Sequence, residues 1–85
     1  MTDSHALDPQ IRDILKNHAR LAQDAQQIGP DADLYQAGMT SHASVNVMLA
    51  LEGAFDVEFP DHMLKRNVFG SIRAIRAALN ELVTA

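Results

Sequence analysis

Thr40 and Ser41 place two hydroxyl groups between Gly38 and a long apolar segment that begins at Ala43. Glycine can adopt backbone conformations closed to other residues, and a Ser or Thr at a helix start can accept a hydrogen bond from a free N–H group of the first turn. A helix N-terminus also favours an incoming phosphate, because the helix dipole is positive there. The Ser41 hydroxyl is therefore our candidate for chemistry.

The pair Ser41 and His42 has a second interpretation, as part of a hydrolase. A catalytic serine needs a base within reach of its hydroxyl and a third group that orients the base. Neighbouring residues at a helix start point apart, and no Gly-x-Ser-x-Gly motif is present. We therefore predict no catalytic residue, and taken alone Ser41 is most often only a helix cap.

The remaining titratable residues indicate no metal or thiol chemistry. The chain has no cysteine, so any thiol has to come from an added group. Its histidines (His5, His18, His42 and His62) have no short metal-ligand spacing, and we predict no metal site. His18 falls on the apolar side of its predicted helix and is expected to be a hydrogen-bonded core residue.

Length and composition indicate a single folded domain over residues 1–85, with residues 1–8 as a flexible tail. The chain is 47% apolar and 21% charged, which is enough apolar material for a core. Its N-terminus has no basic start followed by an apolar run, and no segment has the length that spans a bilayer. The expected location is the cytoplasm, with no membrane contact.

Charge is unevenly distributed along the chain. Residues 31–63 contain six acids and no Lys or Arg, whereas residues 64–85 contain one acid and four bases. An anionic middle third that includes Ser41 disfavours nucleic acid and favours basic protein partners.

The apolar spacing predicts helices throughout and no strands. Helix one is expected over Pro9–Ala22 with Asp8 as its cap, followed by a long loop, Gln23–Asp33, whose end Leu34 and Tyr35 anchor in the core. A short helix is expected from Asp61 to about Arg66. The last helix is expected to be capped by Ser71, with Ile72, Ile75, Leu79 and Leu82 inward and Arg73 and Arg76 outward.

Helix two, Ser41–Phe55, divides into two sectors at 100° per residue. The predicted core stripe comprises Ser44, Val47, Met48, Leu51, Ala54 and Phe55. The second sector comprises His42, Val45, Leu49 and Glu52 and starts beside Ser41. A four-helix domain leaves part of this second sector exposed, which suits partner docking, although Val45 and Leu49 could instead pack on the loop Gln23–Asp33.

Three segments together resemble the acyl carrier protein family: residues 33–41 (DLYQAGMTS), 49–52 (LALE) and 55–61 (FDVEFPD). The resemblance covers about residues 33–82. It implies an all-α four-helix bundle with three main helices and one short helix. It further implies a non-catalytic, monomeric carrier in which a phosphopantetheinyl transferase attaches 4'-phosphopantetheine from coenzyme A to Ser41. An acyl group would then be held as a thioester and presented to acyl-accepting enzymes.

Departures from the family pattern narrow the expected cargo. Thr40 and His42 stand where the family usually has Asp and Leu, and Asn46 and Gly53 occupy positions that are often acidic. The sequence is most similar to small bacterial carriers charged by truncated homologues of seryl-tRNA synthetase, which implies an amino acid, with glycine the leading candidate. Two alternatives stay open: an acyl carrier for fatty acid or polyketide synthesis, and a small helical interaction module without a prosthetic group.

The resemblance also implies a set of partner contacts around the modified serine. Val45 and Leu49 are the favoured recognition residues. The full predicted set is Thr40, His42, Val45, Leu49, Glu52 and Met63. The resemblance implies that the acids Glu52, Asp56 and Glu58 guide basic partner enzymes; the alternative is that they simply form a solvated face. Likewise, His42 is either a contact to partners or a solvated surface residue.

Overall fold

The computed structural model describes residues 7–84, and no β-strand occurs among them. The helices are α1 (Asp8–His18), α2 (Ser41–Phe55) and α3 (Ile72–Thr84). The predicted all-α fold and the bounds of helix two are confirmed. No described helix combines the length and the apolar character needed to cross a bilayer.

The predicted short helix from Asp61 to Arg66 is wrong in form. Two 3-10 turns, Asp61–Met63 and Arg66–Phe69, lie there instead. They are separated because Leu64 (φ −86°, ψ 60°) and Lys65 (φ −122°, ψ 151°) leave the helical region of backbone space. We call residues 61–69 the 3-10 segment.

Helix α1 begins with a proline in its first turn and ends at His18, four residues earlier than predicted. Asp8 does not cap it, because the capping position is Leu7 and Asp8 lies inside the first turn. The helix stops where Ala19 ends it and Arg20 turns to φ 56°. The prediction for His18 is also wrong: it is exposed, since Ala19 occupies the next buried position of the stripe.

The core lies between the three helices and the 3-10 segment. Its fully buried large side chains are Ile11, Leu15, Leu34, Val47, Leu51, Ile72, Ile75 and Leu79. Phe59 and Phe69 close one side with their rings edge to face, 5.3 Å between centroids. The predicted cap of α3 is confirmed, since Ser71 Oγ accepts from the Ala74 N–H at 3.1 Å.

Arg76 was predicted on the outside of α3 but is only 8% exposed. Its Nη1 lies 3.0 Å from Asp8 Oδ2, so a buried ion pair joins the first residue of α1 to α3. Arg73 does face outward, where its Nε lies 2.8 Å from Asp31 Oδ1. Of the predicted tail, residues 1–6 lie outside the described part of the chain, whereas Leu7 packs against the core and Asp8 begins α1.

The long connection between α1 and α2 is held in place by hydrogen bonds to its backbone groups. Arg12 Nη1 donates to the carbonyls of Ala25 and Ile28, at 2.9 and 2.6 Å. The Leu34 N–H donates to the Gly70 carbonyl at 2.8 Å, and the Leu34 side chain is fully buried. The predicted anchoring of this loop by Leu34 is confirmed, and it fixes the chain just before α2.

Candidate functional site

The turn before α2 depends on Gly38, whose φ is +122°. A Cβ at this position would lie 3.0 Å from the backbone nitrogen of Ala22, and that nitrogen donates to the Ala37 carbonyl at 2.7 Å. Only glycine combines this φ with so close an approach of another chain segment. Met39 follows with its N–H bonded to the Leu34 carbonyl at 3.0 Å and its side chain buried. The start of α2 is therefore held in one place.

Three hydroxyl groups lie in the first turn of α2, and two of them are engaged. Thr40 Oγ1 accepts from the Ala43 N–H at 3.0 Å and is the N-cap. Ser44 Oγ donates to the Ser41 carbonyl at 2.6 Å. The exposed Ser41 has no hydrogen bond to its Oγ from anywhere in residues 7–84. One hydroxyl is thus free at a helix N-terminus.

No hydrolytic arrangement surrounds this hydroxyl in the described part of the chain. His42 is exposed and makes no hydrogen bond with Ser41, and no carboxylate orients its ring. Across residues 7–84, no three His, Cys, Asp or Glu side chains come together in a way that could hold a metal ion.

The helix face beside Ser41 is open. Val45 is 49% and Leu49 55% exposed, so neither side chain is buried against the loop after α1. Thr40 and His42 are exposed at the same end of the helix. The opposite stripe of α2 is only partly as predicted. Val47 and Leu51 are buried together with Ala43; Ser44, Met48 and Phe55 are half-buried, and Ala54 is exposed.

Two predicted partner contacts have other roles in the fold. Glu52 is half-buried, and its Oε2 accepts from the Phe59 N–H at 2.9 Å, so it holds the connection after α2. It is not part of a simply solvated face, although Asp56 and Glu58 are exposed. Met63 is only 6% exposed and packs in the core, so it has little surface to offer the predicted partner contact.

An open cavity of about 360 Å³ adjoins Ser41, between α2 and the 3-10 segment. Its lining includes Ser41, Val45 and Met48 from α2 and Leu64, Lys65 and Arg66 from the 3-10 segment. Tyr35 also lines it, and the Arg66 guanidinium lies 4.2 Å from the Tyr35 ring centroid. Sequence reasoning missed Lys65 and Arg66, because no periodic pattern signals which residues of an irregular segment face a helix.

A small helical domain with one free hydroxyl at the tip of a fixed turn, and no catalytic constellation around it, is suited to carry a covalently attached group. The phosphopantetheine attachment site family matches residues 9–79, most of the chain. The chain belongs to this family, and its prosthetic group is 4'-phosphopantetheine.

The chain also has relatives in sequence and in structure, of which the sequence relative is named as a carrier protein. The chain is 51% identical over 65 residues to an aminoacyl carrier protein of Agrobacterium fabrum (strain C58 / ATCC 33970), covering 76% of this chain and 78% of the relative. It also matches a solution structure from Agrobacterium tumefaciens at 44% identity, with a TM-score of 0.69, covering 87% of this chain and 89% of that one.

A crystal structure gives a more specific match. It holds an engineered Bradyrhizobium japonicum glycine:carrier protein ligase complexed with ATP and a carrier protein from A. tumefaciens. The matching chain is 43% identical, with a TM-score of 0.86, and the match covers 89% of this chain and 99% of that one. This short chain covers nearly the whole length of the matched chain, so the chain that it matches in the complex is the carrier protein and not the ligase.

Proposed function

We propose that this chain is an aminoacyl carrier protein in which 4'-phosphopantetheine is attached to the Ser41 oxygen. The observation that carries the proposal is the free Ser41 hydroxyl, beside two neighbours whose hydroxyls are engaged in capping and backbone bonds. The first turn of α2 contains no acid that would repel a phosphate. When bound, the prosthetic arm supplies the thiol that this cysteine-free chain lacks and on which an acyl group is held as a thioester.

The chain's own residues fit this attachment. Gly38 and the Thr40 cap fix the backbone from which Ser41 projects, so a transferase meets a constant geometry. Ser41 Oγ forms the new bond to the phosphorus of the pantetheine phosphate, the phosphoanhydride bond of coenzyme A breaks, and adenosine 3',5'-bisphosphate leaves with its electron pair. The hydroxyl proton goes to a base on the transferase. No residue of the carrier has to act as that base. This agrees with His42, which is exposed and makes no hydrogen bond with Ser41.

The proposed cargo is an amino acid, with glycine the leading candidate. The support is the relative named as an aminoacyl carrier protein and the carrier seen with a glycine ligase. Four departures from the pattern of typical acyl carriers also support an amino acid. Thr40 and His42 flank Ser41 in place of the usual Asp and Leu, and Asn46 and Gly53 stand at positions that are often acidic. We infer that an amino acid:carrier protein ligase loads this chain, which works as a single-domain monomer over residues 1–85 in the cytoplasm.

Val45 and Leu49 are the proposed centre of partner docking, flanked by Thr40 and His42. A small apolar patch suits brief and reversible binding better than a permanent interface. Glu52 contributes by fixing the end of the same helix through its bond to Phe59.

Intact-mass measurement tests the attachment. Purified apo protein is incubated with coenzyme A and a phosphopantetheinyl transferase, alongside Ser41→Ala and the matched control Ser44→Ala, which removes a hydroxyl from the same helical turn. We expect the mass of one arm to be added to the wild type and to Ser44→Ala but not to Ser41→Ala. No addition to the wild type with several transferases would instead favour an interaction module without a prosthetic group.

Loading of the holo protein tests the cargo. We expect a truncated seryl-tRNA-synthetase-like ligase to add an amino acid in the presence of ATP, whereas fatty acyl transfer is slow. Rapid acylation and elongation by fatty-acid synthesis enzymes would overturn the aminoacyl assignment and leave the attachment site intact.

A further inference from the structure

Two cations line the cavity that adjoins Ser41, and one of them, Arg66, also lines a second cavity that includes Asp31 and Asp33. Lys65 and Arg66 both line the cavity beside Ser41, and no carboxylate is among the residues of that lining. Within residues 7–84, neither side chain has a carboxylate within ion-pair distance. They are the first Lys or Arg residues after Ser41 in the sequence, since residues 31–63 contain none. The fold therefore brings positive charge next to a part of the chain that is otherwise anionic.

Arg66 is held in this position by Tyr35. The guanidinium stacks 4.2 Å from the Tyr35 ring centroid, and the Tyr35 hydroxyl donates to the Arg66 carbonyl at 3.0 Å. Both ends of the residue are therefore restrained although the side chain is exposed. An arginine restrained in this way loses less side-chain entropy when it binds an anion.

The remaining cavity wall is largely apolar. Val45 and Met48 form one side, and Leu64 and Phe69 the other. A ligand that is anionic near Ser41 and mostly uncharged beyond it would match this distribution of charge and apolar surface.

We infer that Arg66, assisted by Lys65, binds the phosphodiester that joins Ser41 to its prosthetic arm and thereby directs the arm along the cavity. This inference rests on the proposed attachment at Ser41. A phosphodiester keeps one negative charge at neutral pH, and a guanidinium matches its oxygens with paired N–H donors. Arg66 is thus a positioning residue, and the arm of the holo protein lies against Val45, Met48 and Leu64 for part of the time.

The test is the proximity of the arm to the cavity wall in fully converted holo protein. Nuclear Overhauser effects are measured between the geminal methyl groups of the arm and the methyl groups of Val45, Met48 and Leu64. Wild type is compared with Arg66→Gln, Arg66→Lys and the matched control Lys16→Gln, which removes a positive charge from the exposed end of α1. Conversion is verified first by intact mass, so a failure of attachment is recognised separately.

We expect these signals in the wild type and a loss of intensity of about threefold in Arg66→Gln, as for an exposed charge pair. Arg66→Lys should lie between the two, since it keeps the charge without the planar stack, and Lys16→Gln should match the wild type. Raising the salt concentration should weaken the wild-type signals, because added ions screen exposed charges, and this measurement needs no variant. Absent wild-type signals, or signals indifferent to both Arg66 substitution and salt, would overturn the inference.

Discussion

Leu49→Ala tests whether the open face of α2 is the docking surface. Leu49 is 55% exposed, so partner binding can remove roughly half of its side-chain surface from water. Burying a whole leucine side chain stabilises by about 2 kcal/mol, so burying only the exposed half of Leu49 under a partner should contribute about 1 kcal/mol to binding. We expect kcat/KM for loading by the amino acid:carrier protein ligase to fall about fivefold.

The substitution should leave the fold nearly unchanged, because Leu49 is not part of the core. The assay is the rate of aminoacylation of holo protein as a function of carrier concentration, with thermal unfolding measured in parallel. Val83→Ala is the matched control, since Val83 is 51% exposed on α3 and does not line the cavity beside Ser41.

Equal rates for wild type and Leu49→Ala would refute the assignment of this face. An equal loss in Leu49→Ala and Val83→Ala would also refute it, because the effect would then not depend on proximity to Ser41. A loss confined to Leu49→Ala, with an unchanged unfolding temperature, is the result that the geometry predicts.

Three further predictions, which use four substitutions, concern the framework of the site. Gly38→Ala should destabilise the fold by about 2 kcal/mol and slow modification, because it combines a positive φ with a crowded Cβ; unchanged denaturant unfolding would contradict this. Arg76→Gln should lower the free energy of unfolding by about 3 kcal/mol, because it breaks a buried ion pair. Arg73→Gln, which breaks an exposed pair on the same helix, should lower it by under about 1 kcal/mol. Equal losses in thermal unfolding would show that burial of the pair is unimportant. Thr40→Ala should lower stability by about 1 kcal/mol through loss of the cap of α2, and an unshifted unfolding midpoint would contradict that role.

The parts of the fold that depend on local signals could be predicted from the sequence. The bounds of α2 follow from a capping hydroxyl at Thr40 after Gly38 and an apolar run that ends at Phe55. The cap of α3 at Ser71 has the same kind of local cause. Ser41 could be singled out for the same reason, because it directly follows the capping residue Thr40 in the sequence.

The errors concern contacts between distant segments. Arg76 is expected outside, away from the apolar positions of its helix, but its partner Asp8 lies 68 residues away in the chain. The end of α1 was placed too late because nothing near Arg20 signals that the chain must turn there to meet the backbone beside Gly38.

The cavity was missed for the same reason. Its second wall is an irregular segment, and helical spacing does not apply to Leu64 and Lys65, which lie between two short 3-10 turns. Met63, a predicted partner contact next to them in the chain, is buried in the core.

Site mapping of the native protein tests the central claim most directly. The protein is recovered from cells that contain an active phosphopantetheinyl transferase, digested, and sequenced by tandem mass spectrometry. We predict a single phosphopantetheine arm, located on Ser41. An arm on Thr40 or Ser44, or protein that is always unmodified, would contradict the claim that the one unengaged hydroxyl of this turn is the attachment point.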